Sequence, residues 1–227
     1  MISLNSLEAS IGYQFKSDEL IQLALTHRSV SGSHNNERLE FLGDSVLNFI
    51  IGEALYQKFP DAKEGQLSRL RASMVKGTTL AELGQQFQLN SHIRVGPGEL
   101  KSGGTKRHST LADAVEAIIG AIYLESGFEV CQQVVGEWFA SRINRLSLTD
   151  TVKDNKTRLQ EILQARKLPL PGYHIVSIQG KSHCQSFKVE CTIESVPETF
   201  TGEGTSRRHA EQQAAGKALK VLESALL

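Results

Sequence analysis

The chain has 227 residues, 40% of them hydrophobic, with 25 basic and 25 acidic side chains. That length is generous for one small domain and comfortable for two, so a globular, soluble protein with real cores is expected. Balanced charge argues against a uniformly basic nucleic-acid binder, yet residues 1–150 carry 14 basic against 17 acidic groups while residues 151–227 carry 11 against 8. An acidic front and a basic tail suggest divided labour. Cys131, Cys184 and Cys191 are odd in number and lack CxxC or Cys/His spacing, which disfavours a disulfide framework or a zinc site. The first fifteen residues lack the basic and long apolar regions of a secretion signal, and the apolar runs are too short to span a bilayer, so a cytoplasmic protein with no membrane partner is expected.

In chain order, dense apolar residues at helical spacing predict helices over 37–58, 66–88, 109–126 and 129–145, which makes residues 1–146 an all-α bundle. Phe59-Pro60-Asp61 ends the first of these, and Val95-Gly96-Pro97-Gly98 with Ser102-Gly103-Gly104 predicts a flexible loop, with Ser109 or Thr110 as N-cap of the helix beyond it. Residues 147–153 lose periodicity and read as a linker. A second domain over 154–225 begins with an amphipathic helix at 155–167, stopped by Pro169 and Pro171. Alternation then predicts strands at 173–179, 186–195 and 198–202, and a helix over 206–226 aligns Ala210, Ala214, Ala218 and Leu222 on one face. The order is αβββα, a small α+β domain.

The stretch Asn36-Glu37-Arg38-Leu39-Glu40-Phe41-Leu42-Gly43-Asp44-Ser45-Val46-Leu47 places three carboxylates in what otherwise reads as buried helix. Ionised groups taken out of water cost several kcal/mol each unless something positive compensates them. At about 100° per residue Glu37, Glu40 and Asp44 fall within an arc of about 60°. A second apolar segment, Leu111 to Ala121, holds Asp113 and Glu116 one turn apart, and Gly43, Ala112, Ala114, Ala117 and Gly120 permit close helix approach, so the two acidic pairs can face each other. Carboxylates with no histidine or cysteine among them are hard oxygen donors that select Mg²⁺ or Mn²⁺. Such a centre suits phosphodiester hydrolysis. The alternatives are structural ion pairs with Arg28, Arg38, Arg69 or Arg71, and a di-iron bundle, which would need the Glu-x-x-His pairs that neither cluster contains.

Residues Asn36 to Leu47 with Leu111 to Glu125 resemble the signature of the ribonuclease III family, and the domain order is similar to that of its bacterial members over essentially the whole chain. The resemblance implies an endonuclease that hydrolyses double-stranded RNA, processing rRNA precursors, mRNA and other structured transcripts, with 5′-phosphate and 3′-hydroxyl products bearing short 3′ overhangs. It implies that Glu40, Asp113 and Glu116 ligate Mg²⁺, with Mn²⁺ able to substitute and no organic cofactor. Asp44 and Glu116 are tied most directly to catalysis, and Glu37 and Glu64 hold supporting roles. A homodimer about a two-fold axis is implied too, with Phe41 as a dimer contact or a core residue. Lys101, Lys106 and Arg107 belong either to a solvated loop or to an RNA contact, and His27 is expected to be structural.

The tail resembles a double-stranded RNA-binding domain, which reads the shape of A-form RNA across two minor grooves. Thr157, Gln160 and Glu161 on its first helix suit one minor groove, and His183 in the strand-connecting loop suits the other. Arg207 and Arg208, at a helix N-terminus, suit the intervening phosphates. The rival from another class is a non-catalytic double-stranded RNA-binding protein, which would have no use for acidic residues in an apolar setting.

Overall fold

The computed structural model describes residues 4–148, 155–180, 185–194 and 196–224, with the backbone alone at 223–224. The chain divides into two compact units, Met1–Thr151 and Val152–Leu227. In the first, the described helices are α1 (Leu4–Ile11), α2 (Asp18–Ala24), α3 (Glu37–Lys58), α4 (Glu64–Val75), α5 (Gly77–Gln86), α6 (Pro97–Lys101) and α7 (His108–Arg145). Among the described residues no helix is long and apolar enough to cross a membrane.

Helix α7 is the axis of the bundle. Leu111, Ala112, Ala114, Val115, Ala117, Ile118, Ile119, Ala121 and Ile122 are all buried, so its first half is apolar nearly all round, as a helix enclosed by others must be. Helix α3 lies across it with Leu39, Val46, Leu47, Ile50 and Ile51 inward. The crossing rests on two glycines: a Cβ on Gly43 would sit 1.7 Å from the Glu116 carbonyl oxygen, and one on Gly120 would sit 2.3 Å from that of Leu39. Backbone meets backbone there.

Several sequence expectations are corrected. The helix expected over 66–88 is two helices, because Lys76 is extended (ψ 147°). The Thr79 hydroxyl donates to the Ser73 carbonyl at 3.0 Å, satisfying one of the acceptors orphaned where α4 ends. No side chain caps α7, whose N-cap is Arg107, two residues ahead of the expected Ser109. The expected break between 126 and 129 is a kink at Gly127, whose φ of 79° and ψ of −177° suit glycine alone. The flexible loop expected over 95–98 and 102–104 is folded into α6 and a 3₁₀ turn at Gly104–Lys106. Helices α1 and α2 carry no readable period because their eight and seven residues make only about two turns. They are held from outside: the Trp138 indole N–H donates to the Ile11 carbonyl of α1 at 2.7 Å, and Glu125 accepts the N–H of Ser17, the N-cap of α2, at 3.4 Å.

The second unit has α8 (Asn155–Ala165), β1 (Gly172–Gln179), β2 (Ser186–Ile193), β3 (Val196–Gly204) and α9 (Arg207–Ser224). The strands form one antiparallel sheet in the order β1-β2-β3. Val189, Cys191 and Ile193 alternate inward, and Cys191 and Ile193 pack with Leu159 and Leu163 of α8 and Ala214, Ala215, Ala218 and Leu219 of α9. Gly202 brings α9 onto β3, since a Cβ there would lie 2.1 Å from the Ala210 carbonyl oxygen. The last helix begins at Arg207 rather than 206, its expected end at 226 lies outside the described residues, and β3 is longer than the expected 198–202.

Candidate active site

The start of α3 is set by Asn35, whose side-chain oxygen accepts the Glu37 N–H at 3.0 Å, and by Glu37 and Glu40 in a first turn where the helix dipole favours anions. One further turn carries Asp44. Across the glycine crossing, the first turns of α7 present Asp113 and Glu116. Carboxylate oxygens of Glu40, Asp113 and Glu116 all lie within 4.8 Å of one another, and all three residues are half-buried. Among the described residues no lysine or arginine pairs with any of them.

The electrostatics follow from that enclosure. Burial, then the charges of Asp44, Glu40 and Asp113, push the Glu116 carboxyl from its ordinary 4.5 up to about 8. Burial, then Asp113 and Glu37, raise Glu40 as well. Burial also raises Asp113, against a pull downward from His27 and Arg28. Three acids that resist ionisation together, all offering hard oxygen donors, fit a divalent cation, whose charge would reverse the penalty.

A raised folded-state value has a definite sign. Neutral Glu116 favours the fold, so its contribution is complete below about 4.5 and is lost as pH rises through about 8. The metal-free protein should therefore lose stability between pH 5 and pH 8 on this account. Mg²⁺ or Mn²⁺ should raise the melting temperature by several degrees at pH 8, on the order of 1–2 kcal/mol, and by less at pH 5.5. Thermal melts with and without metal at both pH values check this; no metal-dependent shift at either would contradict a metal centre.

The remaining predicted acids divide. Asp44 is exposed rather than buried; the Asn48 side-chain amide donates to its Oδ1 at 2.9 Å, and its charge is the largest acting on Glu116. Glu37 is exposed too and pairs with Arg28 at 3.4 Å, so the structural-bridge alternative holds for this one residue. Of these three acids only Glu40 is half-buried, because Glu37 and Asp44 lie at the solvent edge of the α3 face. Glu64 opens α4, accepts the Ser68 hydroxyl at 2.7 Å and lies in a groove with Tyr56 and Arg71, apart from the three clustered acids. Phe41 is 78% exposed and is no core residue of this chain. Arg107 binds Glu99 at 2.5 Å and Ser102 at 2.9 Å, which keeps the 97–107 segment folded beside the acids. Asn48 was not singled out from sequence; its place one turn after Asp44 was the available signal.

In the second unit Thr157, Gln160 and Glu161 share the exposed face of α8, opposite Leu159 and Leu163. Arg208 is exposed at the start of α9. Arg207 is partly committed elsewhere: its Nε donates to Glu211 at 2.8 Å, and Lys156 donates to the same buried carboxylate at 2.5 Å. Burial acts to raise Glu211, but those two bonds outweigh it and hold the carboxyl below its usual range. His183 lies outside the described residues.

The chain matches the Ribonuclease-III-like family over residues 17–143 and the double-stranded RNA binding motif over residues 155–222. The chain belongs to the ribonuclease III family. It is 58% identical over 219 residues to Ribonuclease 3 of Hahella chejuensis, covering 96% of each chain. Against Ribonuclease 3 of Pseudomonas fluorescens it is 58% identical over 221 residues, covering 97% of this chain and 96% of the relative. A crystal structure of the ribonuclease III nuclease domain from Campylobacter jejuni matches with a TM-score of 0.62 and 41% identity, covering 65% of this chain and all of that one. A second structure from the same organism matches with a TM-score of 0.60 and 43% identity, covering 61% of this chain and 97% of that one, and is described as flexible in a region involved in dimer formation. As a ribonuclease III, the chain is an endoribonuclease that cleaves double-stranded RNA with a divalent metal, and its tail is a helix, three antiparallel strands and a helix that bind the duplex.

Proposed function

We propose that Glu40, Asp113 and Glu116 hold Mg²⁺, with Mn²⁺ able to substitute, and that the chain works as a cytoplasmic homodimer. Residues 1–146 form the catalytic domain, 147–153 a linker and 154–225 the duplex reader. The observation that carries this reading is the convergence of three half-buried carboxylates from two helices with no lysine or arginine paired to them among the described residues. When bound, the ion supplies Lewis-acid polarisation of a phosphoryl oxygen and eases ionisation of the attacking water. Asp44, steadied by Asn48, adds negative charge beside Glu116 and suits a proton-accepting role at the cut. Glu37 stands outside the ligand set as a supporting charge. Products with 5′-phosphate, 3′-hydroxyl and short 3′ overhangs follow if two sites related by a dyad cut opposite strands.

The dimer reading rests on α3. Phe41, Phe49 and Tyr56 are 78%, 61% and 71% exposed, and at about 100° per residue they fall within an arc of about 80°. Phe128 of α7 meets Phe49 edge-on at 5.2 Å and extends the patch. An exposed aromatic patch of this kind suits a self-complementary interface. Purified protein given long duplex RNA should cut it with Mg²⁺ and not in excess chelator. Uncut RNA in both conditions would leave a duplex-binding protein without activity.

For the tail, Arg208 is the cleaner phosphate probe, because Arg207 also secures Glu211. Arg208→Ala should weaken duplex binding equally across RNA sequences and reduce the salt slope by about one, with the second unit's stability unchanged. Binding titrations over a salt series test this, and a defect confined to some sequences would contradict it.

A further inference from the structure

The acids are not alone in their cleft. His27, Arg28 and Ser29 line the same cleft as Glu40 and Asp113, on the segment leading from α2 to α3. That segment is tied down by backbone bonds. The His27 N–H donates to the Arg94 carbonyl at 3.0 Å, the Asn36 N–H to that of Thr26 at 2.9 Å, and the Arg94 N–H to that of Leu25 at 2.8 Å. Ser29 is clamped as well: its hydroxyl oxygen accepts the Gly96 N–H at 2.8 Å, and a Cβ on Gly96 would lie 2.3 Å from its carbonyl oxygen.

These bonds orient the imidazole. His27 Nδ1 accepts the Ser29 N–H at 3.2 Å and lies 2.8 Å from the Ser29 hydroxyl. With Nδ1 used as an acceptor, the neutral ring carries its proton on Nε2, so His27 offers an N–H donor in either charge state. Arg28 is 70% exposed, and among the described residues only its Nη1 is engaged, by Glu37 at 3.4 Å. Its other N–H groups remain available, in the fork that suits phosphate oxygens.

We propose that His27 and Arg28 form a phosphate seat on the rim of the acidic cleft, holding a backbone phosphate of the RNA strand being cut. An acidic cleft repels a polyanion except where a cation meets it. The seat supplies that attraction at a fixed place, from a loop too well bonded to be a passive solvated rim. Its role is positioning: the reacting strand is held so that the scissile linkage lies against Glu40, Asp113 and Glu116. This inference rests on the family's RNA cleavage and assigns two residues that the acidic site does not need.

The test uses the full-length protein with duplex RNA. Arg28→Ala should raise KM about tenfold, with the Mg²⁺ concentration for half-maximal rate unchanged, and Arg28→Lys, which keeps the charge without the fork, should recover part of the loss. His27→Ala should raise KM several-fold, and His27→Gln, which keeps an N–H donor, should recover part of it. In Ca²⁺, where binding is read without turnover, Arg28→Ala should lower the slope of log affinity against log salt by about one. A raised Mg²⁺ requirement with unchanged KM and salt slope would overturn the proposal, since the pair would then act only on the acids. Variants identical to the parent would overturn it equally. Failure of the parent protein to cut RNA would instead strike the functional reading, so the two failures are distinguishable. Melting curves on each variant confirm the fold, and the lysine and glutamine variants keep the test open if an alanine variant does not fold.

Discussion

Glu116→Gln should abolish cleavage of duplex RNA and leave duplex binding intact. The substitution keeps size and shape but removes the charge at the most strongly perturbed acid of the cluster, whose oxygens lie within 4.8 Å of those of Glu40 and Asp113. Loss of a metal-holding carboxylate should lower the rate by roughly three orders of magnitude or more, about 4 kcal/mol of transition-state stabilisation. Binding persists because the second unit carries its own RNA-facing surface. The same variant should melt higher than the parent without metal at pH 8, because the amide avoids the cost of ionising a half-buried acid, and it should lose most of the metal-dependent gain in melting temperature. Single-turnover cleavage, duplex binding in Ca²⁺ and thermal melts together check this. Parallel loss of binding and cutting would mark Glu116 as a structural residue.

Gly43→Ala should unfold or disable the catalytic unit although it adds one methyl group. That carbon would lie 1.7 Å from the Glu116 carbonyl oxygen and 3.0 Å from the Gly120 nitrogen, both backbone atoms that no side-chain rotation can move aside. Overpacking of side chains ordinarily costs about 1–3 kcal/mol; with backbone on both sides the cost should reach at least about 3 kcal/mol, a fall in melting temperature of roughly 6–12 °C. Any molecules that stay folded must part α3 from α7, which separates Glu40 from Glu116, so their rate should fall as well. Gly136→Ala is the control, since its added Cβ meets nothing within 4 Å. That substitution should be neutral or stabilise by about 0.5–1 kcal/mol through helix propensity. Equal melting and activity for Gly43→Ala and the parent would show that the crossing tolerates a side chain.

Much of this was legible in the amino-acid order. Long helices declared themselves because their apolar residues recur over many turns, as in α3 and α7, and the strands because Val189, Cys191 and Ile193 alternate. The acids were legible because carboxylates among alanines, leucines and glycines demand compensation. Short elements were not: α1, α2 and α6 are too brief to carry a period, and distant residues hold their ends, Trp138 at Ile11 of α1, Glu125 at the Ser17 cap of α2 and Ser29 at the Gly96 cap of α6. Nor could spacing along one helix separate Glu40 from Glu37 and Asp44. Only the position of α7 decides which side of α3 is covered, leaving Glu40 half-buried between two exposed acids.

By itself the chain order determined the two-domain plan, the acidic chemistry and the family, because periodicity, residue type and motif spacing are local properties that survive without coordinates. Tertiary structure alone decided which acids converge, that Glu64 stands apart from them, that Arg207 is shared with Glu211, and that His27 and Arg28 face the acidic cleft. Those outcomes depend on where helices cross. That is set by the contact of Gly43 with the backbone of Glu116 and of Gly120 with that of Leu39, more than seventy residues away in the chain, and no local pattern encodes it.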